Sequence, residues 1–186
     1  SQPTCDNVHV GRETAARIIE LRGIDLSIEE LHGIARDFLA RTRAQIDELA
    51  ARLAVKHGLG DATVIEVEKY LNEKYQVRVD GGDATRVLER YRAERARIRA
   101  FIDEHDLFPI FDGEDLAILQ TPRFMEPSIP AGAMVPPPPF REGVRRSLVY
   151  LTLSEALMDE HTELSIPSMM IHEGIPGHHL QLATAA

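Results

Sequence analysis

The sequence predicts a mainly α protein with a small β-sheet, an α+β fold. Apolar residues recur at helical spacing over most of residues 10–107 between capping signals, two short and partly β-branched apolar runs follow, and a proline-rich stretch separates those runs. Residues 1–107 therefore read as a helical region. Residues 108–186 read as a small sheet, a proline-rich loop and a final helix, the whole forming one continuous domain that is a fragment of a larger one.

From Val10 to Arg22, Ala15, Ile18, Ile19 and Leu21 suit a short helix, with Gly23 as its left-handed terminator. Ser27 followed by Glu30 reads as a capping box, after which Leu31, Ile34, Phe38, Ile46, Leu49 and Leu53 recur until Gly58. This predicts one helix of roughly 30 residues and roughly 45 Å. Asp61 is placed to cap a third helix striped by Val64, Val67, Leu71 and Tyr75, and QVRVDGGD (76–83) reads as an extended piece and a turn. A fourth helix carries Val87, Tyr91, Ile98 and Ile102 on one stripe. Its arginines 86, 90, 92, 95, 97 and 99, with Glu89 and Glu94 interleaved, read as a solvated face rather than an anion site.

LAILQ (116–120) and SLVYLTL (147–153) read as strands, and the prolines of TPRFMEPSIPAGAMVPPPPF between them argue against regular structure there. A loop of that length holding Phe124, Met125, Ile129, Met134 and Phe140 is expected to pack, either lining a cleft or covering the helices. SLVYLTL is open to two readings, an edge strand for an extended peptide or an interior strand. SEALMDEHTEL (154–164) reads as a short helix or a helix and turn, and the final helix is expected to start near Ile166 or Pro167.

With 21 basic and 30 acidic residues the formal charge is −9, which repels a phosphate backbone and argues against nucleic acid. The single Cys5 forms no internal disulfide. No run of about 18 apolar residues spans a membrane. Localisation is not fixed by these features: cytoplasmic is the default expectation, with a secreted or lipoprotein form if a leader precedes residue 1. Oligomeric state is equally open.

Chemistry concentrates in IHEGIPGHHLQL (171–182), where three of the eight histidines stand beside a glutamate around a proline and two glycines. His172-Glu173 opens the H-E-x-x-H pattern, which places two imidazoles on one helical face with a general base beside them, but Pro176 occupies the second histidine's position. At about 100° per residue, six steps turn His178 about 240° away, and seven bring His179 back to the same face roughly 10 Å further on. A shared ion therefore requires a broken helix. Pro176 forces a break, and Gly174 and Gly177 permit a bulge of two residues that would bring His178 to the expected place. Glu155, Glu160, His161 and Glu163 are candidate substitute ligands, with a solvated helical surface as the simpler reading, and His9, His32, His57 and His105 read as surface residues.

HEGIPGHHLQ (172–181) resembles the H-E-x-x-P-G-H-H-x-Q signature of a bacterial family of unknown function, some of whose members are described as lipoproteins, generally grouped with gluzincin-type zinc metallopeptidases. VGRE (10–13), DLSIEEL (25–31) and AGAMVPPPPF (131–140) are similar to the same family, so the likeness covers essentially the whole chain but only the middle of the family's longer domain. It implies a long-helix, zincin-like architecture incomplete at the C-terminus and at the N-terminus, with Zn2+ as cofactor and a peptide or other amide as substrate. His172 and His178 are then metal ligands, Glu173 the general base, and His179 a transition-state donor or a second layer behind the ligands. The roles of His178 and His179 remain interchangeable, and the third ligand is expected to be a glutamate beyond Ala186. The competing expectation is a non-catalytic helical binding module or scaffold, or a truncated relic of such an enzyme.

Overall fold

The computed structural model describes residues 10–77, 84–140, 143 and 145–186. His9, Cys5 and most of the turn expected at 76–83 lie outside them, as do the side chains of residues 155 and 156. The described chain is mainly helical with one three-stranded mixed sheet. It divides into two compact units, one through Val67 and one from Glu68 onward.

In the first unit, α1 (Gly11–Leu21) precedes α2 (Ile28–His57), whose 30 residues match the predicted length. The capping box forms as expected: Ser27 Oγ accepts from the Glu30 amide at 3.2 Å and the Ser27 amide donates to Glu30 Oε2 at 2.8 Å. Gly58, at φ 69°, ends the helix in the left-handed region that glycine enters at least cost. Ala50 and Ala54 are buried on α2, and Val67 on the following helix, α3 (Val64–Tyr75). Asp61 is not the cap of α3. Thr63 is, in a second box with Glu66, because only Thr63 stands three residues before a glutamate that can answer its amide.

In the second unit, α4 (Thr85–His105) presents Val87, Tyr91, Ile98 and Ile102 to a core shared with Leu116, Ile118, Val149, Leu151, Ile166, Met170 and Ile175. β1 (Asp115–Gln120) pairs in parallel with β3 (Arg146–Leu151), and β2 (Gly132–Val135) pairs antiparallel with β3, giving the order β1-β3-β2. β3 is thus the central strand, which rules out its expected alternative as a peptide-accepting edge along 148–151. β2 lies inside the proline-rich stretch where no regular structure was expected. Its four residues Gly132–Val135 contain no proline, and β3 alone supplies enough partners to hold so short a strand. The rest of that stretch is neither all packed nor part of a cleft at the histidines: Ile129 is buried, whereas Phe124 and Phe140 are 83% and 97% exposed.

The arginines of α4 are also more than a solvated face. Arg92 and Arg95 donate to the Ile118 and Leu116 carbonyls, so they satisfy alternate acceptors of β1. Arg90 and Arg97 hold the fully buried Glu94, whose carboxyl is kept below its ordinary range first by Arg97, against the opposing effect of burial. A 3₁₀ turn (Glu155–Glu160) leads to His161, which is buried rather than on a solvated surface. Its Nε2 lies 3.0 Å from the Thr152 carbonyl, an acceptor only, so Nε2 donates and Nδ1 accepts from the Tyr91 hydroxyl, also at 3.0 Å. Glu163 pairs with Arg90.

Candidate metal centre

α5 (Ser165–Met169) starts where Thr162 Oγ1 accepts from the Ser165 amide at 3.0 Å, with Pro167 inside the first turn, where its missing N–H costs nothing. The helix then widens into a π turn over Met170–Gly174, breaks at Ile175–Gly177, and a new helix, α6, runs from His178 to Ala185. The break is more complete than the two-residue bulge expected from the sequence. Pro176 has no amide to continue the ladder, and the chain restarts a helix whose first bond runs from the Gln181 amide to the Gly177 carbonyl at 3.1 Å. Gly177 permits this by close approach: a Cβ there would stand 1.9 Å from the His172 carbonyl oxygen and 2.3 Å from that of Ile171. No other residue type fits without moving that backbone.

The break brings His172 and His178 together. Their ring centroids are 4.7 Å apart at an interplanar angle of 86°, and both residues are exposed. They share the wall of an open depression of about 590 Å³ with Ser168, Ile171, Pro176, Gly177 and Gln181. Glu173 Oε1 lies 3.9 Å from His172 Nε2, its side chain only 13% exposed, and it does not line that depression. Zinc–nitrogen distances of about 2.0–2.1 Å in a tetrahedral site place two ligating imidazole centroids about 5 Å apart, a spacing close to that of this edge-to-face pair. Among the described residues, no third histidine, cysteine, aspartate or glutamate joins them as a ligand set.

His179 stands elsewhere. It is fully buried, with Nδ1 2.7 Å from Ser147 Oγ and Nε2 2.8 Å from Glu114 Oε1. Both ring nitrogens are engaged, so neither is left for an ion, and the histidine of α6 that faces the depression is His178. The Ser147–His179–Glu114 chain has the composition of a nucleophile, base and acid, but Ser147 and His179 are shut off from substrate. Glu114 also takes Arg95 at 2.6 Å and Arg99 at 3.3 Å. The His179 hydrogen bond first, and then Arg95, pull its carboxyl from the ordinary 4.5 down to about 2 in spite of burial.

Glu114 and Ser147 escaped notice in the sequence. Glu114 sits in an unpatterned DGED turn, whereas Ser147 left a faint signal as the polar residue on the inward positions that Val149 and Leu151 continue. Of the other candidate ligands, His161 is occupied as above and Glu163 is paired with Arg90, while His32 and His105, expected on the surface, are exposed.

No curated protein matches the chain. Its structure is similar to the crystal structure of the putative lipoprotein from Colwellia psychrerythraea, with a TM-score of 0.66 at 21% identity over 89% of this chain and 27% of that one. The chain thus spans about a quarter of that relative's length, and the likeness speaks to fold alone. The family model described as "Bacterial protein of unknown function (DUF885)" matches residues 2–186, and on that match the chain belongs to this bacterial family.

Proposed function

We propose that this chain is the metal-binding segment of a zinc-dependent hydrolase with zincin-like architecture, acting on a peptide or another amide. The observation that carries the reading is the 4.7 Å approach of the His172 and His178 rings across a helix break. His172 and His178 are two of the protein ligands, and the third is a glutamate contributed from outside residues 1–186. Zinc bound there supplies Lewis acidity toward water and the scissile carbonyl.

The chain's own groups do the rest. Glu173, 3.9 Å from His172 though outside the lining of the depression, is the acceptor that in this reading takes the proton from the attacking water and returns it to the departing amine. Gln181, one turn beyond His178 in the same wall, offers an amide to a substrate. The role of peptide-accepting edge passes from β3 to β2. The Ala131 carbonyl accepts from Thr152, and the alternation of the antiparallel ladder turns the outer backbone groups of Gly132 and Met134 away from β3. His179 acts from behind, without touching substrate.

In protein expressed from the complete gene, Glu173→Gln is expected to lower amide hydrolysis about 10²–10⁴-fold while zinc content stays unchanged, as measured by turnover and metal analysis. Undiminished turnover rejects the reading. A non-catalytic binding module is the second reading, favoured by the apolar face of α2, where Ile34, Phe38, Ile46 and Leu49 are each about half exposed. Under it Glu173→Gln changes nothing, and substitutions on α2 weaken partner binding.

A further inference from the structure

We propose that Glu114 is a positioning residue that sets the spacing of His172 and His178, acting through His179. His178 is a single residue between two fixed points. On one side, Gly177 lies against the Ile171 and His172 carbonyls at a separation that excludes even a methyl group. On the other, His179 is bonded to Ser147 of β3 and to Glu114, the residue before β1. Glu114 is itself held by Arg95 and Arg99 of α4. The first turn of α6 is thereby tied to three elements of the core.

The bonds are directional. A carboxylate only accepts, so Nε2 of His179 carries a proton and donates it to Glu114, which fixes both the ring plane and the rotation of α6 about its axis. An apolar trio would pack the same space without the desolvation cost of ionic groups, but would leave that rotation free to slip. A slip of α6 by a fraction of a turn swings His178 away from His172, because the two rings sit on different helical segments with no regular backbone between them. The consequence for a bound ion rests on the function proposed above. The geometric claim does not.

The test uses the whole 186-residue chain with labelled histidines and no metal. An inter-ring nuclear Overhauser effect between His172 and His178 is expected in the wild type, lost in Glu114→Ala, and restored at least in part by Glu114→Gln, whose amide oxygen still accepts from Nε2. Should Glu114→Ala fail to fold by circular dichroism, Ser147→Ala and Glu114→Gln read the same signal, with Ser147→Ala weakening it. An unchanged signal in a folded Glu114→Ala or Ser147→Ala chain, or no signal in the wild type, overturns the proposal. A Co2+ titration followed by absorbance then separates it from the functional reading. The expected result is binding about 10–100-fold weaker in Glu114→Ala than in the wild type, the range typical of groups that orient metal ligands. Wild-type chain that keeps the inter-ring signal but takes up no Co2+ refutes the metal site and leaves the positioning role standing.

Discussion

At residue 177 a hydrogen in place of a side chain decides whether the two candidate ligands meet. Gly177→Ala puts a carbon against the His172 carbonyl, and the backbone has to part to admit it. The expected cost is about 3 kcal/mol, the upper end of ordinary overpacking because the obstacle is backbone, measured as a shift in the urea midpoint. Glu114 gives a second prediction at this scale. Its folded pKa, about 2, lies below its ordinary 4.5, so the unfolded chain binds more protons between those values. The stability it contributes is complete above about pH 4.5 and lost as pH falls from there through about 2. Urea titrations across that window should show wild type losing stability more steeply than Glu114→Gln; parallel curves contradict the assigned network. The approach of His172 and His178 was legible in the sequence because spacing and helix-breaking residues are local features. Glu114 and Ser147 were not, because their partner is 65 and 32 residues away in the chain.

At the level of elements, local chemistry predicted well wherever it acted alone. The α2 box, its length and its Gly58 terminus follow from residues within one turn of each helix end. Ser27→Ala is expected to destabilise that unit by about 1 kcal/mol, read from chemical denaturation, since the Glu30 amide loses the hydroxyl that accepts from it. The less accurate readings arose where tertiary contacts decided the outcome. β2 forms because β3 offers a ladder beside it, which a count of prolines does not reveal. Arg92 and Arg95 read as surface charge in the helical pattern, yet both donate to carbonyls of β1, 26 and 21 residues away. His161 looked exposed in a polar segment, yet Tyr91, 70 residues earlier, and the Thr152 carbonyl draw it inside. The helix break is intermediate: its place was written in Pro176 and Gly177, whereas the π turn and the fresh start at His178 depend on what the segment packs against.

For the molecule as a whole, membership of a bacterial family of unknown function and an α+β fold are established, and among the described residues no helix is long and apolar enough to cross a membrane. The chemistry rests on one small region. Two histidine rings approach to 4.7 Å with the largely buried Glu173 carboxylate 3.9 Å from one of them, and their roles in hydrolysis, like the remaining ligand, belong to the proposal. Two protein ligands hold zinc loosely, so the isolated chain should bind it weakly. Isothermal titration of the chain with zinc tests the central claim most directly. One ion per chain is expected, lost in His172→Ala and in His178→Ala and kept in His105→Ala, whereas binding that survives removal of either ring would contradict the account.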